Sequence, residues 1–387
     1  MTIRSLLLAL GASLILAAQP PTTLVQSIPA GTDLADPALP FARDEWVAMI
    51  RGAKVSVDAG EFYVTNRPGS ALEPVLAELE KAGARGVKVR FLLSAKMLDQ
   101  DPASVARIRR ISGAEARSFD LASVSKGILH AKYFVVDGRE ACLGSQNFDW
   151  RALEHIHELG VRTSDPRIVA RLAELFALDW AFAGSGKLPE LPGRPTPALR
   201  PEVELVASPP FLTPKDVRPA IEALVELIGQ AKTSVRVQLL TYSPLAGRDG
   251  FWPVLDNALR AAAVRGVRVR LMVSDWALGS RALPHLKALT LIPNLEVKVV
   301  SIPEAKEGHI PYARVIHSKY LVVDGTHLAL GTSNWEESYF MDSRNVELIF
   351  RDSPLAAQAV RIHDRLWTSR YAFPLDPSKT YEKRKVD

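Results

Sequence analysis

The chain has 387 residues, 47% of them hydrophobic and 24% charged, a composition that excludes a disordered protein and a multi-span membrane protein. That length exceeds one ordinary core and predicts two domains of roughly 150–200 residues. A formal net charge of +5 suits an anionic substrate without specifying one.

At the N-terminus, Arg4 precedes the apolar run Leu6 to Ala18, and Gln19-Pro20-Pro21 follows. A short basic region, an apolar stretch and small residues predict a signal peptide over residues 1–18, and with it an exported protein, periplasmic or secreted. About 13 apolar residues are too few to span a bilayer core of roughly 30 Å comfortably. Cys142 is the only cysteine, so no internal disulfide is available and two hydrophobic cores must carry the fold. Its setting, Ala141-Cys142-Leu143, reads as a packed strand.

The chain repeats itself. Residues 53–66 (AKVSVDAGEFYVTN) echo 231–244 (AKTSVRVQLLTYSP), residues 85–94 (RGVKVRFLLS) echo 265–274 (RGVRVRLMVS), and residues 130–137 (HAKYFVVD) echo 317–324 (HSKYLVVD). Three matches in the same order indicate two copies of one domain, over 40–185 and 215–375. Between them, residues 186–214 are rich in proline from Pro189 to Pro214 and predict a semi-extended linker. In the second copy Ser234–Tyr242 reads as a strand, Phe251–Val264 as a helix, Val267–Val273 as a strand and Ser280–Leu291 as a helix. Such alternation predicts an α/β fold with a largely parallel sheet. Asp137-Gly138 and Asp324-Gly325 each join two apolar runs, which adds antiparallel hairpins and makes each sheet mixed.

The chemistry gathers at the third repeat. His130-Ala-Lys132 is followed by Asp137 and then Gly144-Ser145-Gln146-Asn147. His317-Ser-Lys319 is followed at the same spacing by Asp324 and then Gly331-Thr332-Ser333-Asn334. On a strand, positions i and i+2 share a face, so each His stands beside its Lys. Asp137 and Asp324 fall on the opposite parity at the turn and are expected to brace the hairpin. Ser145, Thr332, Ser333 and the two asparagines are expected to face the His-Lys pocket or support it. The inventory suits a phosphodiester, an anion that repels nucleophiles. Lys132 and Lys319 offset its charge, and Asn147 and Asn334 donate to its non-bridging oxygens. One imidazole attacks phosphorus while the other protonates the leaving oxygen. Glu158 and Glu347, at matched places after the motifs, are the carboxylates expected to favour imidazolium. His155-Ile-His157-Glu158, His309 and His327 show no convincing metal-ligand spacing, so neither metal nor cofactor is expected.

These motifs resemble the paired HKD motifs of the phospholipase D superfamily. The stretches 144–161 (GSQNFDWRALEHIHELGV), 207–225, 251–276, 310–324 and 331–340 (GTSNWEESYF) extend the likeness to the branch of lysosomal phospholipase D-like 5′ exonucleases. The resemblance implies two tandem phospholipase D-like domains related by a pseudo-two-fold axis. It also implies metal-independent hydrolysis of phosphodiesters through a phosphohistidine, with His130 as nucleophile and His317 as acid. Two departures stand out: the chain lacks the cysteines that cross-link the secreted animal relatives, and Glu336-Glu337 replaces small polar residues beside the second motif. Single-stranded nucleic acid is the favoured substrate, with Tyr242, Trp276, Trp335, Tyr339 and Phe340 as candidates to stack on bases. The alternative is a phospholipid, in a phospholipase D or phosphatidyl-transfer reaction of the cardiolipin synthase kind. A homodimer stays open.

Overall fold

The computed structural model describes residues 21–191 and 202–387. The expected leader over 1–18 and the middle of the Pro-rich segment lie outside the described residues.

Two large mixed sheets share one strand order. The first runs Thr22–Ser27, Glu158–Thr163, Glu140–Gly144, Lys132–Val136, Ser56–Glu61, Lys88–Ser94, Ala114–Phe119. The second runs Val203–Ser208, Asn345–Phe350, His327–Gly331, Lys319–Val323, Ser234–Leu239, Arg268–Ser274, Leu295–Val300, and adds Ala372–Pro374 at its far edge. In each, the strands from the second repeat pair in parallel with their neighbours, whereas the hairpin and outer strands pair antiparallel. The helices Leu72–Ala84 and Val254–Val264 make the crossovers between parallel strands. Both hairpins turn through Asp-Gly pairs with positive φ at both central residues: 53° and 62° at Asp137-Gly138, 52° and 74° at Asp324-Gly325. That is the conformation a tight hairpin needs and Asp-Gly tolerates.

Two expectations need correction. Thr22–Ser27 precedes the expected start of the first domain at residue 40, and Val203–Ser208 falls within the expected linker, yet each is the edge strand of its sheet. Proline at their borders disguised them, although Leu24-Val25-Gln26-Ser27 and Leu205-Val206-Ala207-Ser208 are themselves a repeat. The hydrophobic interior is also not two separate cores. Phe134 and Val136 pack in a cluster of the first half, and Leu321 and Val323 in one of the second. Their strand neighbours Tyr133, Val135, Tyr320 and Val322 point the other way, into a cluster shared by both sheets. The helices Pro166–Ser185 and Pro354–Trp367 contribute Leu172, Phe176, Ala359 and Ile362 to it. Strands buried on both faces read as the continuous apolar runs seen here. The halves are thereby fused through apolar packing, which fixes the two motifs relative to each other. Cys142 is buried and accepts from Trp46 Nε1 at 3.2 Å, and burial pushes its thiol up to about 12.

Candidate active site

Each His-Lys segment crosses to the opposite half. The backbone N–H of His130 donates to Arg344 O at 2.9 Å, and that of His317 donates to His157 O at 2.9 Å. Leu129 bridges Arg344 and Ile316 bridges His157 in the same pattern. The offset that carries His130 to His317 also carries His157 to Arg344, so the two crossings are copies related by the duplication. Lys132 and Lys319 open their strands, and each Nζ folds back to donate to the carbonyl of its own histidine at 2.6 Å. Of the three ammonium donors, two remain on each. All four groups are buried: His130 is 4% exposed, His317 7% and each lysine 2%.

The partners of the imidazoles break the symmetry. His317 Nδ1 lies 2.9 Å from both carboxylate oxygens of Glu158, across the half boundary. His130 Nδ1 lies 2.9 Å from Asn345 Oδ1, and Glu347 is not its partner. Glu158 and Asn345 open equivalent strands, opposite Ser27 and Ser208 respectively. They are thus true counterparts, whereas Glu347 is matched by Gly160. Glu347 instead accepts from the Ser333 N–H at 3.0 Å, and a β-carbon at Gly331 would collide with its carboxylate. In the first half Gln146 fills the space beside Gly160. Asn345, and not Glu347, stands from Glu158 at the same offset as the two histidines from each other.

Asn345 Nδ2 donates to Tyr339 O at 2.8 Å, which turns its carbonyl oxygen toward His130. Thr332 Oγ1 donates to that same oxygen at 2.9 Å. An acceptor with this neighbour requires His130 to carry its proton on Nδ1, leaving the Nε2 lone pair free. Burial first, then the ammonium groups of Lys132 and Lys319, hold His130 well below the usual imidazole range. His317 is also lowered, by burial and then by Lys319 and Lys132, while burial pushes Glu158 up to about 8. A neutral pair and an ion pair contain the same number of protons. Either way, the His317–Glu158 dyad holds one proton it can deliver. Burial drops Lys319 to about 7 and raises Glu347 to about 7.

The remaining expected residues divide. Asn147 and Asn334 are both buried beside the motifs, each with a side-chain oxygen that lacks a hydrogen-bond partner. Asn147 Nδ2 donates to Tyr63 Oη at 3.2 Å, and Tyr63 donates onward to Asp149 at 2.8 Å. Ser145 and Thr332 support the partners of the imidazoles: Ser145 hydrogen-bonds Glu158, as Thr332 does Asn345. Ser145 Oγ bonds the backbone of Leu159, and Thr332 also accepts from the Val346 N–H, because both lie fully buried between strands. Asp137 and Asp324 brace more than their hairpins: Asp137 accepts from the N–H groups of Lys54, Val55 and Ser56, and Asp324 from those of Lys232, Thr233 and Ser234. Glu336 hydrogen-bonds Thr241 Oγ1 at 2.5 Å, and burial raises its pKa, so it brings less negative charge than its position suggests. Sequence reasoning missed Asn345, Tyr63 and Glu61, a buried carboxyl in register with Lys132. His157 is structural, with Nδ1 3.2 Å from Gln238 Nε2 and burial holding it at about 4. Among the described residues, no three His, Cys, Asp or Glu side chains are placed to hold a metal ion.

The family model described as "Cardiolipin synthase, PLD-like domain" matches this chain twice, over residues 46–180 and 224–367. The chain belongs to the phospholipase D-like family. Phospholipase D Z of Dictyostelium discoideum is 33% identical, over 91% of this chain and 90% of that protein. The 5′-3′ exonuclease PLD3 of Homo sapiens is 32% identical, over 92% of this chain and 81% of that protein. The human 5′-3′ exonuclease PLD4 is 30% identical, over 91% and 78%. Among solved structures, a phosphatidylserine synthase of Haemophilus influenzae superposes with a TM-score of 0.62 at 12% identity, covering 88% of this chain and 87% of that one. That superposition shows the two-domain phospholipase D-like fold.

Proposed function

We propose that this protein is a phosphodiesterase that degrades single-stranded nucleic acid from an end through a phosphohistidine. The observation that carries the mechanism is the unequal pairing of the imidazoles, a neutral amide on His130 and a carboxylate on His317. His130 Nε2 forms a bond to phosphorus as the bond to the leaving oxygen breaks, and the His317–Glu158 dyad gives that oxygen its proton. Water then attacks phosphorus, returns a proton to the dyad and frees His130. Lys132, Lys319, Asn147 and Asn334 offset the charge that builds on the non-bridging oxygens.

The named exonuclease relatives support a nucleic-acid substrate, and the aromatic surface supports it too. Tyr242, Trp335 and Phe340 are core residues, so three of the five expected stacking side chains serve packing. Trp276 remains half-buried beside Tyr312, which is 48% exposed, with ring centroids 6.4 Å apart. Tyr339 stands edge-on to His130 at 4.8 Å. Bases stack on such rings without regard to sequence.

The test is hydrolysis of end-labelled single strands in EDTA, run beside vesicles of defined phospholipids. Stepwise release of mononucleotides supports the reading, and headgroup release from lipid without nucleotide release refutes it. Export is proposed from the leader alone. N-terminal sequencing of the protein from extracellular and cell fractions tests it.

A further inference from the structure

The two halves differ where the motif loop meets the end of the central strand. In the first half Tyr63 hydrogen-bonds Asp149, and Asp149 forms an ion pair with Arg151 at 2.7 Å. Asp149 caps the helix Trp150–Glu154, as Glu336 precedes the equivalent helix Glu337–Met341. By the offset of their motifs, Asp149 corresponds to Glu336 and Arg151 to Ser338. By the offset of the central strands, Tyr63 corresponds to Thr241. The contact itself confirms that equivalence, since Thr241 bonds Glu336 as Tyr63 bonds Asp149.

Two large side chains in one half are therefore small in the other, and the difference opens a space. A cavity of about 410 Å³ lies there, lined by Thr241, Ser243, Leu245, Ala282, Glu336 and Ser338, among others. Its volume falls within the roughly 300–1,000 Å³ of small-molecule sites. It sits beyond the C-terminal end of the strand Ser234–Leu239, where sheets of parallel character present ligands. Glu336 and Ser338, the cap and first turn of the helix Glu337–Met341, lie between Asn334, beside the second motif, and Tyr339, whose ring meets His130. The cavity thus adjoins the second motif along the chain.

From this asymmetry we infer that the Thr241–Glu336–Ser338 cavity is the subsite for one nucleoside esterified to the scissile phosphate. The inference rests on the nuclease reading above and adds the place of one substrate half. The walls combine apolar surface with hydroxyls and carboxylate acceptors, which suits a base and a sugar with N–H and O–H donors. An acyl chain would desolvate those polar groups without bonding them, and a second phosphate would face Glu336 and Glu337, while the cation on the wall, Arg281, is engaged by the carbonyls of Gly247 and Arg248. The first half, walled by Tyr63 and Arg151, offers no matching replacement of large by small residues, so the two sides of the phosphate are read differently.

The experiment compares kcat/KM for a dinucleoside monophosphate with kcat/KM for bis(4-nitrophenyl) phosphate in wild type, Thr241→Tyr and Ser338→Arg. Each substitution restores the bulk found in the first half, and Ser338 is exposed, so Ser338→Arg leaves the core intact if Thr241→Tyr misfolds. The ratio of the two constants is expected to fall about tenfold or more in either variant, the scale of a steric mismatch in a binding pocket. An unmoved ratio in a folded variant overturns the subsite while leaving the nuclease reading in place. A wild-type protein that cleaves bis(4-nitrophenyl) phosphate but no dinucleoside monophosphate overturns the nuclease reading itself.

Discussion

Glu158 lies 2.9 Å from His317 Nδ1 and shares a proton with it, although 159 positions separate them in the chain. Its counterpart Asn345 accepts from His130 Nδ1 without a charge. Replacing Glu158 by Gln removes the anion that steadies a protonated His317 and makes proton delivery harder. The expected loss in kcat is about 10²–10⁴-fold for substrates with alkoxide leaving groups, the usual weight of general acid catalysis. A 4-nitrophenolate leaving group needs little protonation, so its loss should be much smaller. Equal losses with both leaving groups would assign Glu158 a purely structural role.

Asn345→Asp makes the converse test. A carboxylate beside His130 favours imidazolium, which cannot attack phosphorus. Wild-type His130, lowered by burial and by both lysines, stays neutral well below pH 6.5. The acid limb of kcat/KM should accordingly lie well below pH 6.5 in wild type and move upward in Asn345→Asp. An unshifted acid limb would show that Asn345 does not set the protonation of His130.

On the alkaline side Glu158 and Lys319 both lose protons in the free enzyme. Burial raises Glu158 to about 8, so the dyad loses its deliverable proton as pH climbs through that value. Lys319, lowered by burial to about 7, loses the charge that attracts phosphate as pH rises through its own value. Both changes act in the same direction, and kcat/KM should fall between about pH 7 and 8. A bound phosphodiester anion favours the ammonium form of Lys319, so the fall in kcat should come later than that in kcat/KM. Rate profiles from pH 4 to 10, taken on both parameters, check this.

Much of this site could be read in the sequence, for reasons particular residues make plain. His130, Lys132 and Asn147 recur in the second half at equal spacing, and equal spacing survives folding because both copies build the same hairpin. The Asp-Gly turns announce themselves through φ, a local property of two residues. What escaped was non-local. Glu158 reaches His317 and not His130 because the segments exchange halves at Arg344 and His157, and nothing local to either segment says so. The edge strands Thr22–Ser27 and Val203–Ser208 form their ladders with strands more than 130 residues away. Tyr63 and Thr241 sit in aligned stretches, but their difference gains meaning only once both are seen against Asp149 and Glu336.

Asp137 and Asp324 should prove structural in solution. Partial burial raises Asp137, but the N–H groups of Ser56, Val55 and Lys54 outweigh it and lower its pKa overall; Asp324 behaves alike. Asp137→Ala leaves those donors to solvent and should cost about 1–2 kcal/mol, as the loss of a helix cap does. A depressed carboxylate stabilises above its unfolded pKa and ceases to do so as pH falls through its folded one. The difference in melting temperature between wild type and Asp137→Ala should therefore shrink in acid. Turnover per folded molecule should change little, since neither carboxylate touches a histidine.

The last prediction concerns what holds the histidines in place. Arg344 and Asp179 are both fully buried, paired at 2.7 Å, and Arg344 also donates to the carbonyls of Ser208 and Leu212. The pair ties the helix Pro166–Ser185 of the first half to the strand entrance of the second, and the Arg344 carbonyl receives the N–H of His130. Asp179→Ala strands a guanidinium in the core and should cost about 3–5 kcal/mol. Replacing both, with Asp179→Leu and Arg344→Met, removes the stranded charge and should recover a large part of that loss. Stability and turnover then separate. The double variant keeps the backbone bond to His130 and should remain active, whereas Asp179→Ala should lose activity along with melting temperature. Denaturant titration with a double-mutant cycle measures the coupling, and an additive result would mean the ion pair does not join the halves.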